Sequence, residues 1–139
     1  MTTEFRPFAR TMKLRAGRGQ VALTAEEFKR IPKLYAQDGL GDEAIVHVKY
    51  FDPTGSYTWY LTELDPEEGI AFAYTVSSHC PEGELGYVSI PELAEIVVRF
   101  GLGVERDIHW KPTRLGDVMA KYRRRESREM TPEEVAFES

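Results

Sequence analysis

Apolar and polar residues alternate with a period of two along three stretches in the middle of the chain. In residues 43–51, Val46, Val48 and Tyr50 fall on one side, with Ile45, His47 and Lys49 on the other. In residues 57–64, Tyr57, Trp59 and Leu61 oppose Thr58, Tyr60 and Thr62. In residues 70–76, Ile70, Phe72, Tyr74 and Val76 oppose Ala71, Ala73 and Thr75. Successive strand side chains point to opposite faces. The pattern therefore predicts a meander with one bulky face, and one face of hydroxyls and small side chains. Asp52-Pro53-Thr54-Gly55 joins the first two stretches. The Asp carboxylate bonds backbone ahead of it, Pro presets φ and Gly accepts a left-handed exit, so this turn sets the register. Asp65-Pro66 opens the next turn, and residues 85–88 and 104–110 predict further strands.

Helix starts repeat one chemical pattern. Thr24 precedes Glu27, Ser89 precedes Glu92 and Thr131 precedes Glu134 at capping-box spacing. Leu23 with Phe28, Val88 with Leu93 and Met130 with Val135 stand at the hydrophobic-staple positions around them. The cap oxygen satisfies an orphan amide, the glutamate reaches back and the staple sets the entry angle. Pro32 keeps the first helix short, with Phe28, Ile31 and Tyr35 expected on one face. The second is expected to turn Leu93, Ile96, Val97 and Phe100 inward and to end at Gly101. A further helix over 115–125 turns Val118, Met119 and Tyr122 inward, with Arg123, Arg124 and Arg125 suited to the dipole at its end.

These elements predict a single α+β domain: an antiparallel sheet of about five strands with helices packed mainly on one face. The domain is expected over residues 21–125, between a basic arm at 1–20, with Phe5 and Phe8 as anchors, and a capped helix or tail at 126–139. A chain of 139 residues buries a core without disulfides or metal. Cys80 is the single cysteine, which excludes an intrachain disulfide and fits a reducing cytoplasm. No apolar stretch approaches the length of a membrane span, and no secretory leader is expected. The net charge of −5 is unevenly spread: +5 over residues 1–37, −11 over 38–110 and +1 over 111–139. An acidic body repels phosphate, so nucleic-acid contact is confined to the flanks.

Three segments carry a family resemblance: Tyr57-Thr58-Trp59-Tyr60-Leu61-Thr62-Glu63-Leu64-Asp65-Pro66-Glu67, Glu84-Leu85-Gly86-Tyr87-Val88-Ser89-Ile90-Pro91-Glu92-Leu93 and Gly101-Leu102-Gly103-Val104-Glu105-Arg106-Asp107-Ile108-His109. In this order they resemble the bacterial family known as domain of unknown function 2958, over roughly residues 22–115. The resemblance implies a short protein of the kind often carried by plasmids, integrative elements and phages. It implies no reaction, so no catalytic residue is transferred. Ser77-Ser78-His79-Cys80 departs from the Gly-rich, acidic stretch of the family pattern before Glu84.

Several sets of residues are candidates for chemistry. Glu63, Asp65, Glu84, Glu105 and Asp107, with His109, have the residue types of a Mg²⁺ site for phosphoester hydrolysis, which requires carboxylates converging on one point. They also stand at strand ends and turns, where solvated acids ordinarily sit, and no metal or cofactor is assigned to them. Arg106 lies between acids that face away from it in a strand, and a structural salt bridge to Glu63 or Glu84 is its expected role. The histidines are too scattered for a zinc signature, and Cys80 beside His79 lacks a third, orienting group. Thr58, Tyr60 and Thr62, beside His47 and Lys49, offer a platform for a peptide or a stacked base unless a terminal helix covers it. Tyr87 joins these binding candidates. Arg6, Arg10, Lys13, Arg15 and Arg18, with Arg123, Arg124 and Arg125, are candidate contacts for nucleic-acid backbone; a solvated arm and a dipole-matched helix end are the simpler readings.

The expected function is that of a small accessory protein of a mobile element or phage, cytoplasmic, binding a protein partner in the host bacterium without catalysis. Nucleic-acid binding through the basic flanks and metal-dependent hydrolysis by the acidic cluster are the alternatives.

Overall fold

The computed structural model describes residue 9, residues 11–16 and residues 19–129, with side chains as far as Arg123 in the last helix. The expected box at Thr131 and Glu134, the anchors Phe5 and Phe8, and Arg6, Arg10 and Arg18 lie outside the described residues. The elements follow in the order α1 (Ala25–Arg30), β1 (Ile45–Val46), β2 (Val48–Phe51), β3 (Tyr57–Leu64), β4 (Ile70–Ser77), β5 (Cys80–Ser89), α2 (Ile90–Glu95), β6 (Glu105–Arg106), β7 (Thr113–Arg114) and α3 (Leu115–Glu129). Five strands form an antiparallel sheet in the order β5-β4-β3-β2-β6, and β1 pairs with β7 beside it. This is the expected α+β domain, with α1 and α2 sharing one face of the sheet and α3 covering the other.

The turn at Asp52 forms as its residues predict. Gly55 N–H donates to the Asp52 carbonyl at 2.8 Å, Thr54 N–H to the Asp52 carboxylate at 2.8 Å, and Gly55 takes φ of 87°. The register that follows pairs Tyr50 with Trp59 on β2 and β3. Tyr50 is fully buried, and its phenol donates to the Ala22 carbonyl.

The expectation of a single bulky face is corrected by the pairing of β3 with β4. Leu61 stands opposite Ala73, and Tyr60 opposite Tyr74. Cross-strand partners share a face, so the large residues of β4 join Tyr60, while Ala71 and Ala73 leave room over Leu61 for α2. Val46 and Val48 also separate, because the chain breaks at His47 between β1 and β2; Val46 enters the α3 side and Val48 the α1 side. Both faces are consequently buried. Tyr60 is 4 % exposed, packed with Tyr74, Trp110 and Tyr122 beneath α3, and it presents no open stacking platform.

Part of the expected arm belongs to the core. Lys13 bridges Val21, Arg15 N–H donates to the Ala94 carbonyl, and Leu14 is 2 % exposed. The first capping box is complete: Thr24 Oγ1 accepts from Glu27 N–H at 3.0 Å and Glu27 Oε1 accepts from Thr24 N–H at 2.9 Å. Its other oxygen, Oε2, lies 3.5 Å from the Arg106 guanidinium, which also donates to the Val21 carbonyl. Arg106 is thus a structural ion-pair residue as expected, but its partner is Glu27 rather than Glu63 or Glu84. Ser89 caps α2 by accepting from Glu92 N–H at 3.2 Å.

Two expected core residues of α2 are corrected. The helix stops at Glu95 as the β-branched run Ile96-Val97-Val98 begins, and Val97 and Phe100 are exposed. Tyr35 likewise leaves the face of Phe28 and Ile31 for solvent. Among the described residues, no helix is long and apolar enough to cross a membrane.

Replacing Glu27 by Ala keeps the Thr24 cap but removes the reciprocal half of the capping box and leaves Arg106 buried without its ion partner, and is expected to cost about 3 kcal/mol in urea denaturation. Glu105→Ala, on the same strand as Arg106 but outside that pair, is expected to change stability by less than about 0.5 kcal/mol. A Cβ on Gly103 would collide with the Ile96 carbonyl and with Ala16, whereas one on Gly86 meets nothing within 4 Å. Gly103→Ala is therefore expected to lose about 1–3 kcal/mol, well beyond Gly86→Ala in the same measurement. Burial, and then the Arg30 charge, lower the pKa of His47, whose Nδ1 is buried with no hydrogen-bond partner among the described residues. The folded state thus favours neutral imidazole. Its stability is whole above the ordinary value of 6.5 and declines as pH falls from there toward the lowered folded value. Thermal melts of His47→Gln are expected to show a shallower decline over that window.

Candidate functional site

The most developed surface feature begins with an irregularity in β3. Leu61 pairs with Ala73, but Glu63 pairs with Phe72 and Leu64 with Ala71, leaving Thr62 as the extra residue of a β-bulge. Strict alternation would send Leu64 to the face opposite Leu61. The bulge places both leucines in the α1 side of the core and turns Glu63 to the other face. Thr62 is held there by donating from Oγ1 to the Phe72 carbonyl at 3.3 Å.

Glu63 is 6 % exposed, and both its oxygens are used by the loop between α1 and β1. Oε1 accepts from Tyr35 N–H at 2.8 Å and Oε2 from Gln37 N–H at 2.7 Å. The Gln37 side chain ties the loop to the sheet: Oε1 accepts from Ile45 N–H at 2.7 Å, and Nε2 donates to the carbonyls of Thr62 and Ile45 at 2.9 and 3.1 Å. Inside this clamp, Tyr35 takes φ of 71°, a left-handed conformation that costs a non-glycine residue on the order of 1 kcal/mol. The residue is 66 % exposed.

Facing that loop are Phe72 on β4, and Leu85 and Tyr87 on β5. Phe72 and Tyr87 pack edge to face, with ring centroids 5.2 Å apart. Between the walls lies a cleft of about 550 Å³ lined by Tyr35, Asp38, Glu63, Phe72, Leu85 and Tyr87 among others. Tyr87 is 54 % exposed, and its pKa is raised, first by the neighbouring Tyr35 phenol, with partial desolvation and then the negative charges of Glu63 and Asp38 adding to it. The lining carries acids and aromatic rings, and among the described residues no Lys or Arg joins it. Such a surface complements a cation with an apolar stem, held over the rings and near Asp38.

Of the sequence-derived candidates, Thr62, Glu63 and Tyr87 meet at this cleft, and the others disperse. Thr58 is half-buried opposite Val76, near the other end of β3. Asp65 accepts from the amides of Glu67 and Glu68 in its turn, and Glu84 is exposed on the face of β5 away from Tyr87. Glu105 stands on β6 beside Arg106. Asp107 pairs with Lys49 at 3.6 Å and accepts from His109 N–H at 2.9 Å. The described residues contain no group of three His, Cys, Asp or Glu placed to hold a metal ion. Lys13 and Arg15 are exposed, Arg15 lying 3.4 Å from Glu95, while Arg123 reaches back to the Met119 sulfur. Arg124 and Arg125 continue the backbone of α3, their side chains lying outside the described residues. Ser77, Ser78, His79 and Cys80 make the tight turn between β4 and β5, with the Cys80 amide donating to Ser77 Oγ at 3.1 Å.

Sequence reasoning missed Tyr35, Gln37, Asp38, Phe72 and Leu85. One signal was present: the alternation in β3 ends in Glu63-Leu64, an acid followed by a core residue on the wrong phase. The partners that satisfy that acid lie 26 and 28 positions earlier, in a loop without periodicity.

Comparison with the curated proteins and with the solved structures finds no match to the chain. A family profile described as protein of unknown function (DUF2958) matches residues 23–128, from the residue before the first helix cap into α3. That span takes in the whole sheet, the bulge and both walls of the cleft, and the chain belongs to this family.

Proposed function

We propose that the protein is a small accessory protein of a mobile element or phage that acts without catalysis, by seating a segment of a protein partner in the cleft between Tyr35 and Tyr87. The observation that carries this reading is the strained, exposed Tyr35. A buried carboxylate and two short hydrogen bonds hold its backbone in a left-handed conformation, yet the ring returns no packing energy to the core. Strain of this kind concentrates at sites that present a side chain to something else. Paired tyrosines on a rigid support suit protein recognition, because they offer large contact area with few rotamers to freeze.

The lining selects the partner chemistry. Two aromatic walls, an exposed Asp38 and the strongly acidic middle of the chain favour an arginine or lysine flanked by apolar residues. Arginine is preferred, since its planar guanidinium stacks on a phenol and donates to a carboxylate together. The surrounding negative potential speeds the encounter with a basic segment. The mobile-element setting follows from what the family resemblance implies.

A random peptide display library panned on the full chain tests this reading. Expected binders carry Arg or Lys beside apolar residues, and their affinity falls at least about tenfold for Tyr87→Ala and declines with added salt. Recovery of peptides without basic residues, or equal binding to Tyr87→Ala, contradicts it. Tyr35→Gly separates strain from function: its melting temperature is expected to hold or rise while peptide affinity drops about tenfold.

A further inference from the structure

The chain treats the two edges of its sheet differently. At β6 the backbone is already taken up: Arg106 N–H donates to Gln20 Oε1 at 2.8 Å, and Gln20 Nε2 donates to the Arg106 carbonyl at 3.1 Å. A side-chain amide stands where a further strand would pair. The other edge is β5, ten residues from Cys80 to Ser89. Each residue of an antiparallel strand turns its N–H and C=O to the same side, and successive residues alternate, so about half of β5 aims both groups away from β4. Among the described residues, nothing outside β4 bonds to the backbone of residues 84–88.

Sheets blunt an open edge with proline, charge or a bulge. β5 gathers such devices at its start, where Pro81 lies and the pairing with β4 shifts between Thr75 and Ser77. From Glu84 to Ser89 the register is regular, and Leu85-Gly86-Tyr87-Val88 carries neither proline nor charge. Leu85 and Tyr87 turn to the α3 side, where they wall the Tyr35–Tyr87 cleft, and both are about half exposed. Gly86, between them, faces open space on the other side.

Charge selects what adds to this edge. Asp38 lies in the cleft on one face of the sheet and Glu84 on the other; both are exposed, and neither is ion-paired among the described residues. A second copy of the chain would bring the same acids together, which like charge opposes. A basic segment is attracted from both faces. Resting on the cleft reading above, we propose that the partner segment binds as an extended strand beside Glu84–Tyr87, a sixth strand of the sheet, with two basic residues three positions apart. Antiparallel addition continues the pattern of every other pair in the sheet. Cross-strand partners share a face. The residue opposite Tyr87 therefore enters the cleft toward Asp38, the residue opposite Leu85 packs on its side chain, and the one opposite Glu84 meets that carboxylate. Main-chain pairing supplies affinity, and the two basic positions supply selectivity.

The probe is the peptide acetyl-Thr-Thr-Arg-Thr-Val-Lys-Thr-Thr-amide, with analogues carrying one N-methyl group at each central amide in turn. N-methylation is expected to weaken binding about tenfold at alternate positions and to leave the positions between them nearly unchanged. Amide exchange followed by nuclear magnetic resonance is expected to slow at alternate residues of 84–88 when peptide saturates the full chain. Glu84→Lys, outside the cleft lining, is expected to weaken binding at least about threefold, and a peptide with glutamate in place of its lysine to recover it. Binding that needs Tyr87 but shows neither alternation nor slowed β5 amides overturns strand addition and leaves the cleft reading standing. No binding of this peptide overturns strand addition, and failure of the displayed peptides as well removes the cleft reading with it. Slowing of the same amides by protein concentration alone gives the edge to a second copy and overturns the proposal.

Discussion

A single extra residue in one strand organises this molecule. β3 lies in the middle of the sheet, with β2 on one side and β4 on the other, and must satisfy both neighbours and both faces. Its bulge at Thr62 lets Leu61 and Leu64 enter the same apolar layer, and that phase change turns Glu63 the other way. A carboxylate sent to a buried position is tolerable only with charge-assisted hydrogen bonds to receive it. The amides of Tyr35 and Gln37 supply them. The loop between α1 and β1 is therefore pinned where the bulge needs it, and the cleft wall that carries Tyr35 is a consequence of the same constraint.

The two faces of the sheet are held by different chemistry. On the α1 and α2 side the core is almost wholly apolar, and its polar contacts gather at the edge, where Glu27 joins a helix cap to Arg106. One carboxylate serves the start of α1 with one oxygen and β6 with the other, so helix entry and sheet edge are fixed together. The α3 side is built from tyrosines. Tyr60 and Tyr122 share a hydrogen bond through their hydroxyls, Tyr74 donates to the Glu82 carbonyl over the backbone of Gly83, and Lys49 lies 5.6 Å from the rings of Tyr60 and Trp110. Burial raises the pKa of Tyr60, Tyr74 and Tyr50, so these phenols stay protonated as donors or shared hydroxyls. Aromatic rings with satisfied polar tips fill the layer that small alkyl side chains would leave open.

Two exposed residues share one feature. Tyr35 and Phe100 are the two non-glycine residues with positive φ among the described residues, and both are open to solvent. Each is held by rigid neighbours: Glu63 in one case, the Val97–Gly103 bridge in the other. At Tyr35, strain that contributes nothing inside the molecule is consistent with a surface shaped for contact outside it. The sequence showed neither residue in this light. Tyr35 follows the apolar spacing of Phe28 and Ile31, and Phe100 that of Leu93, Ile96 and Val97, so a helical period absorbed both into the core on paper. Pro32 and the β-branched run after Glu95 end those helices too soon for the period to apply.

Local chemistry in the sequence determined the elements themselves: the turn at Asp52, the caps at Thr24 and Ser89, the short first helix, the three long strands and the inward face of α3 with Val118, Met119 and Tyr122. Each depends on hydrogen bonds or steric limits spanning a few residues, which a linear reading contains. Tertiary structure alone decided which faces of those strands coincide, that Arg106 meets Glu27, and that Glu63, Tyr35 and Tyr87 form one cleft. Alternation specifies the two faces of a strand but not the phase between neighbouring strands, and one bulged residue reverses that phase. The partners of a buried charge are chosen by closure of the chain in space, where separation along the sequence carries no information.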